Sequence, residues 1–299
     1  MTATPAPIAR PGGQILADAL AVHGVDTVFG VPGESYLAVL DGLYPHRDSI
    51  RFVICRQEGG AAFMADAYAK LTGKPGVLMV TRGPGATNAS IGIHAAFQDS
   101  VPMVVFVGQV GTDFMDREAF QEVDYRRMFG QMAKWVAQID RADRIPEYVA
   151  HAFQVATSGR MGPVVLALPE DMLLDMVEAT DRPRVERVAQ AADPAAIDRL
   201  ADLLAAAERP VAIIGGAGWD HDAARDFAAW ADRSGIPLVA PFRRQDAVPN
   251  DCPAYAGNLG YGPNPKLVAR VKAADLLLVV GARLGEATTD GYTLVTPDH

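Results

Sequence analysis

A carboxylate stands on a turn in Arg56-Gln57-Glu58-Gly59-Gly60-Ala61-Ala62. The turn follows an apolar run, residues 50–55, and opens a run of small residues, 61–69. That order reads as strand, turn, helix. An acidic side chain at the end of a buried strand is costly unless something binds it. Glu58 is therefore the first candidate for proton chemistry. Pro32-Gly33-Glu34 and Gly83-Pro84-Gly85-Ala86-Thr87-Asn88 also stand between a strand and a helix. In an open parallel sheet all three loops fall on the carboxyl edge, where ligands bind. Glycines that merely turn the chain would explain any one of them. Three together, one with a carboxylate, point to a site. The helix start after Gly83 favours an anion.

Spacing excludes several other chemistries. Asn88 stands where a dinucleotide fingerprint needs its third glycine, and Gly215-Gly216-Ala217-Gly218 also fails that pattern. No Gly-Lys-Ser/Thr follows either loop, so neither is a P-loop. There is no GxSxG nucleophile elbow. The six histidines show no HExxH spacing, so no metal site is expected in this chain. His94 reads as a packed helix residue, with lining a pocket as the other reading. Cys55 and Cys252 form no CxxC and read as free thiols of a reducing cytoplasm. With 27 basic against 36 acidic residues, the net charge of −9 disfavours nucleic acid and anionic membrane surfaces. No run of about 18 apolar residues is present to span a membrane.

The elements that must position these loops follow from periodicity. Strands are predicted at 27–31, 50–55, 77–81, 102–108, 134–139 and 163–168. Helices separate most of them, and Asp143 is predicted to cap the one over the following residues. Residues 111–131 read as an irregular charged excursion. Near-continuous apolar strands alternating with helices predict an α/β fold with a doubly wound parallel sheet. The predicted organisation is a disordered arm (1–13), a first domain (14–172), a linker (173–193) and a second, Rossmann-like α/β domain (194–299). In the second domain, strands are expected at 211–214, 237–240 and 276–281, with a Gly/Pro-rich loop over 249–265. That domain reads as incomplete, so the chain is expected to be part of a longer protein.

As a set, these residues resemble a known family. The Glu58 motif, Ala65-Asp66-Ala67-Tyr68-Ala69, Thr72-Gly73-Lys74-Pro75-Gly76, the Gly83 loop, Asp99-Ser100-Val101-Pro102-Met103 and Gly108-Gln109-Val110 are similar to the pyrimidine-binding domain of thiamine-diphosphate enzymes. Ala119-Phe120-Gln121-Glu122 and Ala156-Thr157-Ser158-Gly159-Arg160 resemble the acetolactate synthase branch, a biosynthetic branch of branched-chain amino acids. The resemblance is strong over residues 14–172 and weaker beyond.

The resemblance implies thiamine diphosphate as cofactor. Glu58 would hydrogen-bond the aminopyrimidine ring and promote the imino tautomer that takes the C2 proton. Gly33 and Pro84 would let backbone approach the ring, and Asn88 would add a polar contact. Phe120, Gln121 and Lys134 would lie along the substrate channel, although a solvated surface lysine is the other reading of Lys134. The family holds diphosphate and magnesium through Gly-Asp-Gly on a third domain, and no such tripeptide occurs in this sequence. FAD, held in this branch between the first two domains, would involve Arg160, Gly215, Gly216, Ala217, Leu259 and Arg283. The Asp-Asp expected after Arg283 reads Gly285-Glu286, which leaves FAD open. The implied reaction is decarboxylation and carboligation of a small 2-oxo acid. The implied assembly is a homodimer or homotetramer with the site at its interface. A decarboxylase or aldehyde lyase of the same family, and a non-catalytic subunit needing a separate diphosphate-binding chain, are the alternatives.

Overall fold

A computed structural model describes residues 9–188 and 191–295. Two compact units divide after Val188. The first begins with strand β1 (Ala9–Pro11) and helix α1 (Gly12–Val22). It continues through β2 (Thr27–Gly30), α2 (Leu37–Leu43), β3 (Arg51–Ile54), α3 (Glu58–Thr72), β4 (Gly76–Val80) and α4 (Gly83–Asp99). It ends with β5 (Met103–Gln109), α5 (Tyr125–Phe129), β6 (Trp135–Gln138), α6 (Ile145–Thr157), β7 (Pro163–Pro169) and β8 (Met176–Glu178).

Six parallel strands lie in the order β3-β2-β4-β5-β7-β6. β5 and β7 pair along their whole length, from Met103 opposite Pro163 to Gln109 opposite Pro169. Every residue of both is buried, which their unbroken apolar runs require. Helices α1, α2 and α6 cover one face, around Leu16, Leu43, Val149 and Phe153. Helices α3, α4 and α5 cover the other, around Ala62, Ile93 and Phe129. β2 lies between β3 and β4, so the chain reverses its winding there. The crevice outside the carboxyl ends of such a pair is where open α/β sheets bind ligands.

Several expectations are corrected. β3 is an edge strand, not a buried one, and Ile54 is 71% exposed. Of the arm expected over 1–13, residues 1–8 lie outside the described residues. Ala9–Pro11 pairs antiparallel with Met176–Glu178, which was read as linker. Arg10 fastens this ribbon, donating to Asp18, to Asp181 at 2.8 Å and to the Ala179 carbonyl at 3.1 Å. The helix starts at Gly12, and α1 and α2 touch backbone to backbone: a Cβ on Gly13 would lie 2.1 Å from the Ala38 oxygen. Within the irregular excursion, Tyr125 and Phe129 are buried on α5. Asp143 does not cap α6; it pairs with Arg141 at 2.5 Å.

The second unit holds α7 (Pro194–Ala206), β9 (Pro210–Ile214), α8 (His221–Ser234), β10 (Leu238–Ala240), β11 (Tyr255–Asn258), α9 (Pro265–Lys272) and β12 (Leu276–Val280). Its four strands are parallel, in the order β11-β10-β9-β12. β11 falls inside the stretch read as a loop. Among the described residues no helix is long and apolar enough to cross a membrane.

Candidate active site

Glu58 is the first residue of α3. Gln57 caps that helix, its Oε1 accepting from the Gly60 N–H at 2.7 Å. An acid in the first turn also suits the helix dipole. α3 and α4 pack through small side chains. A Cβ on Gly92 would lie 2.4 Å from the Ala62 Cβ, and one on Gly59 would lie 3.1 Å from the Asn88 oxygen. This close seam puts the two helix starts side by side. Asn88 Nδ2 donates to Glu58 Oε2 at 2.9 Å. Glu58 Oε1 faces α4, 3.5 Å from where a Cβ on Gly85 would stand. The carboxylate is half-buried in this chain, and Pro84 and Asn88 are exposed.

The loop after β2 closes the other side. A Cβ on Gly33 would lie 2.5 Å from the Thr81 Cβ. The Ser35 and Thr81 hydroxyls are 2.9 Å apart. Tyr36 is buried and its hydroxyl donates to the Val31 carbonyl. Burial first, and then the charge of Glu58, push the Tyr36 phenol up. Three loops, after β2, β3 and β4, thus meet around one carboxylate. A side chain larger than hydrogen at Gly85 would press on Thr81 and on the carboxylate, and one at Gly33 would press on Thr81 and Tyr36.

The anion expected at the start of α4 meets few open donors there. The Gly83 N–H donates to the Gln121 carbonyl at 3.0 Å, Pro84 has none, and the Ala86 N–H donates to the Arg82 carbonyl at 3.1 Å. Gln121 is therefore held against the α4 start by backbone contact, and Phe120 beside it is 81% exposed. Glu122 organises their turn by accepting from the Asp116 and Ala119 N–H groups at 2.7 and 3.0 Å. Buried Gln109 and Tyr125 anchor it to β5, through the Val123 carbonyl at 2.9 Å and the Gly108 carbonyl at 3.1 Å.

Lys134, expected along the substrate channel, is not brought there; it lies beside Arg160, whose expected role was in holding FAD. Both precede a strand of the parallel sheet, so both lie at its amino edge. Lys134 Nζ donates to the Val155 carbonyl, and to that of Ser158 at 2.7 Å, closing the end of α6. Burial and then the neighbouring Arg160 charge hold the Lys134 ammonium below its usual range. Arg160 donates to Ser100 Oγ at 2.9 Å and to the Phe97 carbonyl at 2.7 Å, closing the end of α4. His94, read as packed, is exposed.

In the second unit, Gly215, Gly216, Ala217, Leu259 and Arg283 all follow strands and share one carboxyl edge. Leu259 is buried and Arg283 exposed. Gly216 has φ +81°, and a Cβ there would lie 1.9 Å from the Gly281 oxygen. Arg244 donates to the Gly216 carbonyl and meets Asp246 at 3.1 Å. Asp220 caps α8 through the Ala223 N–H at 2.7 Å, occupying with a carboxylate the place a phosphate takes in dinucleotide folds. Among the described residues no group of three or more His, Cys, Asp or Glu is placed to hold a metal ion.

Sequence reasoning missed Ser35, Tyr36, Thr81 and Arg82. Thr81 and Arg82 carried a signal, as polar residues directly after an apolar strand and before Gly83. Ser35 and Tyr36 carried none.

Comparison with known proteins agrees with this fold. Residues 10–128 match the family model "Thiamine pyrophosphate enzyme, N-terminal TPP binding domain", and residues 197–299 match "Thiamine pyrophosphate enzyme, central domain". The acetolactate synthase catalytic subunit, mitochondrial, of Saccharomyces cerevisiae is 34% identical over 304 residues, covering 96% of this chain and 43% of its own. The acetolactate synthase large subunit of Corynebacterium glutamicum is 32% identical, with 98% and 47% covered. The isozyme 2 large subunit of Escherichia coli is 34% identical, with 96% and 52% covered. The chain thus spans about half the length of the curated relatives it matches.

Proposed function

Because the chain belongs to the thiamine pyrophosphate enzymes, with their N-terminal and central domains, we propose that the Glu58 edge receives the aminopyrimidine of thiamine diphosphate. The whole protein would then decarboxylate a small 2-oxo acid and ligate the product to a second carbonyl, as an acetolactate synthase does. The observation that carries this reading is the carboxylate between two glycine loops, with Oε2 held by Asn88 and Oε1 turned to Gly85. Bound thiamine supplies the carbanion chemistry. Glu58 shares a proton at Oε1, and Asn88 fixes the carboxylate plane. Gly33 and Pro84 present backbone to a flat ring, with Gly33 and Gly85 packed tightly on Thr81, and Pro84 keeps the first turn of α4 free of a competing N–H. Phe120 and Gln121 border the entry.

The same reading gives the site a second copy of this chain. α3 and α4, which carry Glu58 and Asn88, also expose Phe63, Met64 and Ile91, at 44, 43 and 59%. Apolar side chains beside an incomplete site favour a homodimer, or a homotetramer built from it. Magnesium and the diphosphate belong in this reading to a segment outside the present sequence. FAD would lie on the second unit's carboxyl edge, at Gly215, Gly216, Ala217, Leu259 and Arg283. The topology favours it, since that edge is a switch point between β9 and β12. The free Cys55 and Cys252 favour a reducing, cytoplasmic compartment.

Glu58→Gln, made in the full-length protein, tests the core of the proposal. Exchange of the thiamine C2 proton should fall by about 100-fold or more. Exchange at the wild-type rate would overturn it.

A further inference from the structure

Arg82 is the residue before α4, and a cation there opposes the helix dipole. Its side chain is only 14% exposed. Its contacts are long: NH1 lies 3.5 Å from the Phe120 carbonyl and NH2 lies 3.4 Å from Glu170 Oε2. Its Nε is buried without a hydrogen-bond partner among the described residues. A cation so placed, so buried and so sparsely partnered is not there for stability alone.

Its place in the fold supplies a reason. Glu170 ends β7, its N–H donating to the Gln109 carbonyl at 3.2 Å. The guanidinium therefore reaches from the end of β4 to the end of β7. It also lies close enough to Tyr125 for its charge to act on that phenol. The turn carrying Phe120 and Gln121 is a demanding one. Asp116, Glu118 and Gln121 have φ of 60°, 54° and 69°, left-handed values that non-glycine residues keep only when their surroundings enforce them. Two successive carbonyls of this turn meet two successive residues of the α4 start. Phe120 O accepts from Arg82 and Gln121 O accepts from the Gly83 N–H.

We propose that Arg82 is a positioning residue that, together with the Gly83 N–H, sets the register of Phe120 and Gln121 on the first turn of α4. Glu170 neutralises the guanidinium and fixes its direction. The functional consequence, placement of Phe120 and Gln121 at the mouth of the Glu58 edge, rests on the reading of that edge as the cofactor site.

Two readouts test the inference. The first is limited trypsin cleavage after Arg117, which is exposed in the same loop. Arg82→Met should speed that cleavage about tenfold relative to other sites at unchanged circular dichroism, and Arg82→Lys, which keeps the charge opposite Glu170, should restore part of the protection. The second is kinetic, in the full-length protein. Arg82→Met should raise KM for the 2-oxo acid about tenfold and lower kcat much less, with Arg82→Lys between it and the wild type. Should Arg82→Met fail to fold, Glu170→Gln replaces it and should move both readouts in the same direction by less. Wild-type protection and wild-type KM in the variant overturn the inference and leave the reading of the edge standing. Absence of C2 exchange in the wild-type protein overturns that reading instead, and the trypsin arm still decides on Arg82.

Discussion

The two edges of the six-stranded sheet hold the same kinds of side chain to different ends. At the amino edge, charges sit in closed networks. Lys70 lies between Asp66 and Asp99, at 2.7 and 2.9 Å. Asp26 accepts from Lys74, Tyr68 and Thr27, which hold its carboxyl down at about 2. Lys134 and Arg160 close helix ends. Gly76 is there for packing, since a Cβ would lie 2.2 Å from the Ala65 oxygen. At the carboxyl edge, Glu58 is half-exposed, Arg82 has long contacts, and the 116–121 turn holds left-handed residues. Charges at the amino edge are paired at short range, whereas Arg82 at the carboxyl edge has only long contacts. Incomplete satisfaction and local strain concentrate at functional sites, which accords with the reading of the carboxyl edge proposed above.

Variants at the amino edge should therefore cost stability and leave chemistry alone. The largest effect should come from Lys70→Met, which removes the shared ammonium from two carboxylates whose side chains are 8 and 7% exposed. A loss of roughly 3 kcal/mol is expected in urea unfolding, with unchanged C2 exchange in the full-length protein. Lys134→Met should cost about 1–2 kcal/mol, for two carbonyls left without their donor. A raised KM in that variant would break the comparison and return Lys134 to the substrate channel.

The smallest effect tests an exception at the amino edge. His23 is buried and stacks on Phe153 at 4.8 Å, and its Nε2 has no partner among the described residues. Nδ1 meets the Ala19 carbonyl at 2.8 Å, which assigns it the proton of the neutral ring. Burial, aided by Arg184, lowers its pKa from 6.5 against the pull of the Ala19 bond. The unfolded chain then binds the proton at a higher pH than the folded one. Stability from this group is full above about pH 6.5 and declines as pH falls below it towards the folded pKa. Melting temperatures between about pH 8 and about pH 5 should show that slope, and His23→Gln should flatten it.

Much of the first unit was legible because unbroken apolar runs mark strands buried on both faces. What a run does not carry is its neighbours. Residues 50–55 look as buried as 102–108, yet β3 has a partner on one side only. The β1–β8 ribbon pairs Ala9 with Glu178, a contact no local pattern announces. β11 was hidden by glycines and prolines around it, and α5 by charges between Tyr125 and Phe129. In the site, loop positions after strands placed Gly33, Glu58 and Asn88 together. Lys134 was assigned to the substrate channel by motif resemblance, but it stands before a strand and Glu58 stands after one. Strand polarity alone separates them. Tyr36 and Ser35 act through contacts 5 and 46 residues away, beyond the reach of a motif.

The seam between α3 and α4 has one more consequence. Alanine and glycine have no side-chain rotamers to choose among, so the spacing of Glu58 and Asn88 is set by backbone against backbone. The ordering entropy of that pair is settled when the chain folds, not when a ligand binds. A joint of this kind has little compliance.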